Sequence, residues 1–213
     1  NFTEFVQLTP AVVQEGDRGG LVVSGQRSIN SNVAVDGADF NDPLQGNQRG
    51  GNEATFFFPQ SAVREFQVVR SGASAEIGRT GSGFVNAVTK SGTNEFHGEL
   101  FYFNRNKKLT SPDAFDQDLD NAQNQFGGAI GGPIKKDRAF FFFAAEQNYL
   151  RVPFVVQFQT LPGAVVPANV AALEGEQRGT NNPTAIFGRT DIILDDTNTL
   201  NIQASHTRFK GEN

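Results

Sequence analysis

Apolar and polar positions alternate along much of this chain, and the rhythm of the alternation changes near its middle. In the first part the apolar runs are short and broken by Gly, Asn and Asp. Leu21-Val22-Val23 and Val33-Ala34-Val35 read as strands, and the second closes on Asp36-Gly37, a pair that favours a tight hairpin turn. Phe66-Gln67-Val68-Val69 and the run from Phe84 to Thr89 read as further strands. Between them, Pro59 followed by Ser61 and Glu65 predicts a short helix with Ser61 as its N-cap. The combination predicts a compact α+β domain over residues 1–90.

Beyond Ser91 the alternation is cleaner. Phe96, Gly98, Leu100 and Tyr102 fall on one face of an extended segment, and Glu95, His97, Glu99 and Phe101 on the other. Near the end, Thr190 to Leu194 and Leu200 to Ser205 flank a polar turn over 195–199. There Leu200, Ile202 and Ala204 oppose Asn201, Gln203 and Ser205, the apolar-out, polar-in code of a wet barrel, although a half-buried soluble strand shows the same pattern. Long irregular stretches over 106–124 and 152–182 separate these strands. Such loops are unusual inside a compact soluble domain and ordinary on one side of an outer-membrane barrel.

Composition narrows the choice. A chain of 213 residues that is 38% hydrophobic has the means to build a core. Its net charge of −5 supplies no basic field for phosphate backbones, so nucleic acid is not an expected partner. No apolar run reaches the roughly 18 residues of a transmembrane helix, but strands cross membranes without such runs. Asn1 to Val13 lacks the basic start and apolar stretch of a signal peptide, so the chain is expected to be mature or part of something longer. The absence of Cys removes disulfides, thiolate metal sites and Cys nucleophiles. Aromatic usage is lopsided, with 21 Phe against 2 Tyr and no Trp, and the Phe come in runs over 56–58 and 140–143.

The motifs point further. Phe58-Pro59-Gln60-Ser61-Ala62-Val63-Arg64-Glu65-Phe66, then Ser71-Gly72-Ala73-Ser74-Ala75-Glu76-Ile77-Gly78, then Gly81-Ser82-Gly83-Phe84-Val85-Asn86-Ala87-Val88-Thr89-Lys90 resemble the second half of a TonB-dependent receptor plug. Leu8-Thr9-Pro10-Ala11-Val12, Ser24-Gly25-Gln26-Arg27 and Val33-Ala34-Val35-Asp36-Gly37 are similar to its first half. Thr89 to Gly98 and the stretch from Phe126 to Phe142, with its paired glycines and Gly132-Pro133, are similar to the Oar-like branch of these receptors.

The resemblance implies a plug domain over 1–90, then the N-terminal strands and loops of a transmembrane β-barrel over 91–213, in the outer membrane of a Gram-negative cell. It implies active uptake of an unidentified external ligand, with outer-membrane lipid around the barrel and TonB coupling through a segment outside this chain. No enzyme chemistry and no cofactor are expected. Receptors of this class close about 22 strands, which at about ten residues each need about 220 residues, so the five or so strands here are expected to form only part of a barrel. The rival reading is a structural or adhesive outer-membrane protein without transport; a third is a soluble β-rich binding module or enzyme.

Candidate chemistry is sparse. The resemblance places the polar cluster Asp36, Asp39, Phe40, Asn41 and Asp42 toward ligand-facing loops, and a capped turn explains the same residues. Phe56 and Phe57, with Phe58, read either as a core anchor, which is favoured, or as an aromatic platform for ligand. Gly72, Gly78, Gly81 and Gly83 are expected to let the plug turn tightly and pass close to neighbouring backbone. His97 and His206 lack metal-ligating neighbours, no Gly-x-Ser-x-Gly elbow occurs, and Gly78 to Gly83 lacks the Lys of a phosphate loop. Asp116-Gln117-Asp118-Leu119-Asp120 imitates the opening of a calcium loop, yet Asn121 stands where that loop needs Gly, so a solvated acidic loop is the better reading and no metal is expected.

Overall fold

The computed structural model describes residues 5–15, 20–42, 58–78, 80–111, 122–158 and 166–212. Its strands run in chain order β1 (Val12–Gln14), β2 (Leu21–Val23), β3 (Asn32–Val35), β4 (Ala38–Asp39), β5 (Val63–Val69), β6 (Phe84–Thr89), β7 (His97–Asn106), β8 (Ala122–Lys135) and β9 (Ala139–Val156). A short helix α1 (Ala168–Ala171) follows, then β10 (Gly175–Asn181), β11 (Thr184–Ile193), β12 (Thr199–Arg208) and β13 (Gly211–Glu212). These strands form three sheets: the β1–β2 pair, a four-stranded sheet in the order β4-β3-β6-β5, and one large antiparallel sheet holding β7 to β13.

The small sheet is mixed. β3 and β6 pair in parallel, with Val33 opposite Val85 and Val35 opposite Ala87, while β4 and β5 add antiparallel edges. All of β3 is buried, as expected of a central strand written Asn-Val-Ala-Val. The helix expected from Ser61 to Glu65 does not form. A single 3-10 turn spans Gln60–Ala62, the Ser61 hydroxyl is buried without a hydrogen bond instead of capping, and the chain is extended from Val63 onward. Pairing of Val63 with Thr89 and of Phe66 with Ala87 outweighs the local capping signal, as tertiary context does for short segments.

The seven strands of the large sheet act as five. Asn181 opposite Leu150 and Thr184 opposite Gln147 keep one continuous register, so β10 and β11 are a single run broken where Pro183 has no N–H to give. Its carbonyl still accepts the Asn148 N–H at 3.0 Å. β12 and β13 likewise keep one register, bridged by the Asn182 N–H to the Lys210 carbonyl at 2.7 Å. What results is an up-and-down meander whose outer strands, β7 and β12–β13, are not paired to each other, so the barrel is open.

Connections alternate in length. β8 turns into β9 through Lys136–Arg138, where Asp137 sits at φ 60°, and β11 turns into β12 through 194–198. At the opposite end, 107–121 and 157–174 join β7 to β8 and β9 to β10. The first turn is braced from outside: Asn94 Nδ2 donates to Asp137 Oδ1 at 2.6 Å and the Asp137 N–H donates back to Asn94 Oδ1 at 2.9 Å.

Side-chain alternation sorts the two faces of this sheet. Leu100, Tyr102, Phe126, Ile130, Phe143, Ile186, Leu200 and Ile202 all point away from the small sheet, and Leu100 is 93% and Ile202 54% exposed. The opposite face carries Phe142, Ala144 and Phe187, which join Val33, Val35, Val85, Ala87, Leu21, Val23 and Phe58 in one buried cluster. The paired glycines divide between the faces. Gly128 and Gly132 lie under outward side chains, and a Cβ at Gly132 would stand 2.5 Å from the Phe96 ring.

Candidate functional site

The small sheet is fastened to the inner face of the large one at three places, and Asp36 organises the first. Asp36 and Gly37 both have positive φ, 47° and 81°, which makes a two-residue turn between Val35 and Ala38 that suits an Asp-Gly pair. That turn holds the carboxylate against β6: Asp36 Oδ1 accepts the Thr89 N–H at 2.8 Å and Oδ2 accepts the Thr89 hydroxyl at 2.6 Å. From the large sheet, Gln203 Nε2 donates to Asp36 Oδ2 at 2.8 Å and Arg189 Nη1 lies 3.5 Å from the same oxygen. Arg189 also gives Nη1 to Thr89 Oγ1 at 2.8 Å and Nε to both oxygens of Asp191 at 2.9 and 3.0 Å. Asn201 Nδ2 completes the group by donating to Asp191 Oδ1 at 2.5 Å.

One guanidinium is thus shared by two carboxylates, and Thr89 and Asp191 are buried. Charge-assisted bonds of this kind are directional, but desolvating the charges offsets much of their gain. Their main effect is therefore to fix where the hairpin sits on the wall; losing a partner is the costly event.

The second fastening is the 3-10 turn. The Gln60 N–H donates to Glu146 Oε2 at 2.8 Å, and Gln125 donates to the other oxygen of Glu146 from β8. Phe58, just ahead of the turn, packs on Phe187 with ring centroids 4.9 Å apart and meets Phe40 edge-on at 6.5 Å. At the third, Lys90 Nζ reaches Glu99 Oε1 on β7 at 2.9 Å, an exposed pair that contributes little by itself. Beside it a cavity of about 420 Å³ is lined by Arg64, Lys90, Thr93, His97, Glu99 and Phe142.

The residues singled out from sequence divide between roles. Asp36 joins both sheets. Asn41 is buried and knots the hairpin: its Nδ2 donates to Asp39 Oδ1 at 2.6 Å and Asn32 Oδ1 at 2.7 Å, and its Oδ1 accepts the Val33 N–H at 3.2 Å. Phe40 packs on Phe58, Asp42 is half-buried next to Asn41, and Asp39 is exposed. Phe56 and Phe57, like Asp116 to Asn121, lie outside the described residues. Gly83 is a close approach, since a Cβ there would stand 2.5 Å from Val23, and Gly72 takes φ 68°. Gly81 stands at ordinary contact distance from Asn30, and Gly78 has open space around it. His97 is exposed on the inner face, its Nδ1 3.0 Å from the Glu95 carbonyl.

Sequence reasoning missed Gln60, Thr89, Glu146, Arg189, Asp191 and Gln203 as a set. A signal was available: Glu146, Arg189 and Asp191 are charges on the face of a strand opposite to its apolar one, and a charge there needs a partner.

An open antiparallel meander with apolar side chains outward, and inward charges that fasten a smaller mixed sheet to its other face, defines a class. The chain belongs to the outer membrane beta barrel domain family, which matches residues 88–213. It is therefore an outer-membrane protein. It is similar to the TonB-dependent transporter Oar of Myxococcus xanthus, at 29% identity over 160 residues that make up 71% of this chain and 14% of that protein. It also resembles the probable TonB-dependent siderophore receptor PirA of Acinetobacter baumannii, at 26% identity over 133 residues, 60% of this chain and 17% of that one. The chain thus spans well under a fifth of these curated relatives. Its fold matches the solved siderophore receptor PirA of Acinetobacter baumannii with a TM-score of 0.70 at 21% identity, over 99% of this chain and 29% of that one. It matches the ferric enterobactin receptor PfeA of Pseudomonas aeruginosa with a TM-score of 0.72 at 17% identity, over 99% and 31%.

Proposed function

We propose that residues 1–90 are the plug and residues 91–213 the first wall strands of a TonB-dependent receptor that takes up an external ligand across the outer membrane. The observation that supports this most is the fastening of Asp36 and Thr89 to Arg189 and Gln203, which seats one domain on the inward face of strands whose other face is apolar. A domain held by a few directional contacts around a small apolar cluster is able to shift as a unit when pulled, and ligand binding biases that shift. Short turns mark the periplasmic end of such barrels, so the strand ends at Asn106, Ala122, Val156 and Gly175 lie at the outer end. TonB acts on such a receptor from the periplasm. No bond is made or broken in the ligand.

Asp36 and Asn41 serve the plug's own seating in this reading. Ligand contact from the described part of the plug falls to the exposed Asp39.

The test exploits the absence of Cys from the chain. In the full-length receptor, an Asp36→Cys, Gln203→Cys pair bridged by a short bis-methanethiosulfonate, which spans the gap the two native side chains fill, stops TonB-dependent uptake, and a reductant restores it. Uptake indifferent to the bridge, or to deletion of TonB, would favour the structural outer-membrane protein instead.

A further inference from the structure

The inner wall beyond the plug, toward the long loops, has a composition of its own. Register places Phe101 opposite Gly127, Phe103 opposite Gln125 and Arg105 opposite Gln123, all on the face that carries Glu146 and Ala144. Phe101 and Phe103 face the interior side by side, ring centroids 5.4 Å apart, and Phe103 is 59% exposed. Next to them Gln123 Nε2 donates to Asn148 Oδ1 at 3.2 Å and to Gln125 Oε1 at 3.4 Å, while Gln125 is held by Glu146. Asn148 and Glu146 are buried and act as props; Gln123 and Gln125 are half-buried and present their remaining amide groups inward.

Each element of this strip suits one chemistry. Both Nε2 hydrogens of Gln123 are donated within the wall, so it offers its oxygen, while Gln125 offers its second N–H beside its oxygen, the pair that a peptide group offers in return. Phenylalanine rings present apolar area with no polar tip. Arg105 adds a cation that suits a carboxylate. An extended peptide alternates amide groups with side chains along its length, and this wall alternates carboxamides with rings across neighbouring strands.

We infer that Phe101, Phe103, Gln123 and Gln125 form the wall side of a binding site for a peptide-like ligand with apolar side chains, Arg105 receiving a carboxylate. The inference rests on the receptor reading above, because it takes this face to line the entry path.

The experiment uses the purified full-length receptor in detergent and a dye-labelled pentapeptide of alternating leucine and serine with a free C-terminal carboxylate, read by fluorescence anisotropy. Maltopentaose and ferric enterobactin are competing probes. Saturable peptide binding is expected, weakened at least tenfold by Phe103→Ala and by Gln125→Ala, and several-fold by Arg105→Gln or by amidating the peptide. Phe103 is too exposed for its truncation to open a core cavity, and heat-modifiable electrophoretic mobility checks that each variant is folded. Phe103→Leu, which keeps apolar area, retains part of the affinity. Absence of saturable peptide binding, binding unmoved by both substitutions, or displacement by the sugar or the chelate in preference to unlabelled peptide overturns the inference. TonB-dependent uptake of some other ligand by the same receptor would leave the receptor reading standing while this one fails.

Discussion

Arg189 donates to the hydroxyl of Thr89 at 2.8 Å, although the two residues lie 100 positions apart in the chain and belong to different sheets. Replacing the guanidinium with a methyl group leaves Asp36 and Asp191 facing each other in a largely dry seam with no cation between them. Arg189→Ala is therefore expected to weaken seating of the small sheet on the wall by about 3 kcal/mol or more, the usual cost of stranding a buried charge. Entry of a large antibiotic such as vancomycin into cells expressing the full-length variant reads this directly. Entry equal to that of the unaltered receptor would remove Arg189 from the seam's energetics. Asp36→Asn keeps acceptor geometry at one oxygen and is expected to be milder.

Phe187 is 2% exposed and packs on Phe58 and Phe142 from the wall side of the shared core. Phe187→Ala should destabilise the union of the small and large sheets by about 3–5 kcal/mol, through lost apolar burial and the cavity left behind. Limited proteolysis of the full-length variant is expected to cut within residues 1–90 while the barrel keeps its heat-modifiable mobility. Equal resistance to protease would show that the ring is not part of a common core.

The faces of β12 make opposite demands. Ile202 is exposed on the outer face, and Gln203, its neighbour, points to Asp36. A lysine at Ile202 is expected to cost about 2–4 kcal/mol if the position lies near the bilayer midplane, less toward either interface. Gln203→Lys faces the inner network and should be tolerated there. Yields of assembled receptor in the outer membrane should fall for Ile202→Lys and hold for Gln203→Lys; the reverse order would invert the sheet's orientation.

Asp195 closes the turn between β11 and β12, outside the membrane-spanning strands. The Asn198 side chain, then the Thr197 N–H and hydroxyl, donate to its carboxylate and hold its pKa at about 2, below the ordinary 3.8. Because the folded value is depressed, the turn's stabilisation is fully present above the unfolded pKa and is lost as pH falls from about 4 through about 2. Protection of the Thr197 and Asn198 amides against hydrogen exchange, taken relative to their intrinsic rates, should hold at pH 4 and fall as pH drops through the folded pKa, and Asp195→Ala should be unprotected throughout. Protection in the unaltered turn that does not change across this range would contradict this.

Much of the wall was legible in the chain because strand alternation is local: Leu200 outward and Gln203 inward follow from a period of two and need no knowledge of the partner strand. The tight turn at Asp36-Gly37 was legible for the same reason, since it is set by the backbone preferences of two adjacent residues. The Pro59 turn misled, because three residues have too little helical stability of their own to resist a strand that pairs with β6. The cluster from Asp36 to Asp42 was visible as polar residues, but whether each faces ligand, its own hairpin or a distant wall was not.

That distinction is tertiary. Local steric and solvation rules acting on neighbours determined the strands, their two faces and the side on which turns are short. Which inward charges meet, Arg189 with Asp36 and Glu146 with the Gln60 amide, depends on the register of five strands and on the parallel crossover joining β3 to β6. Those pairings bring together groups scores of residues apart, and a buried charge selects its partner by geometry rather than by nearness in the chain.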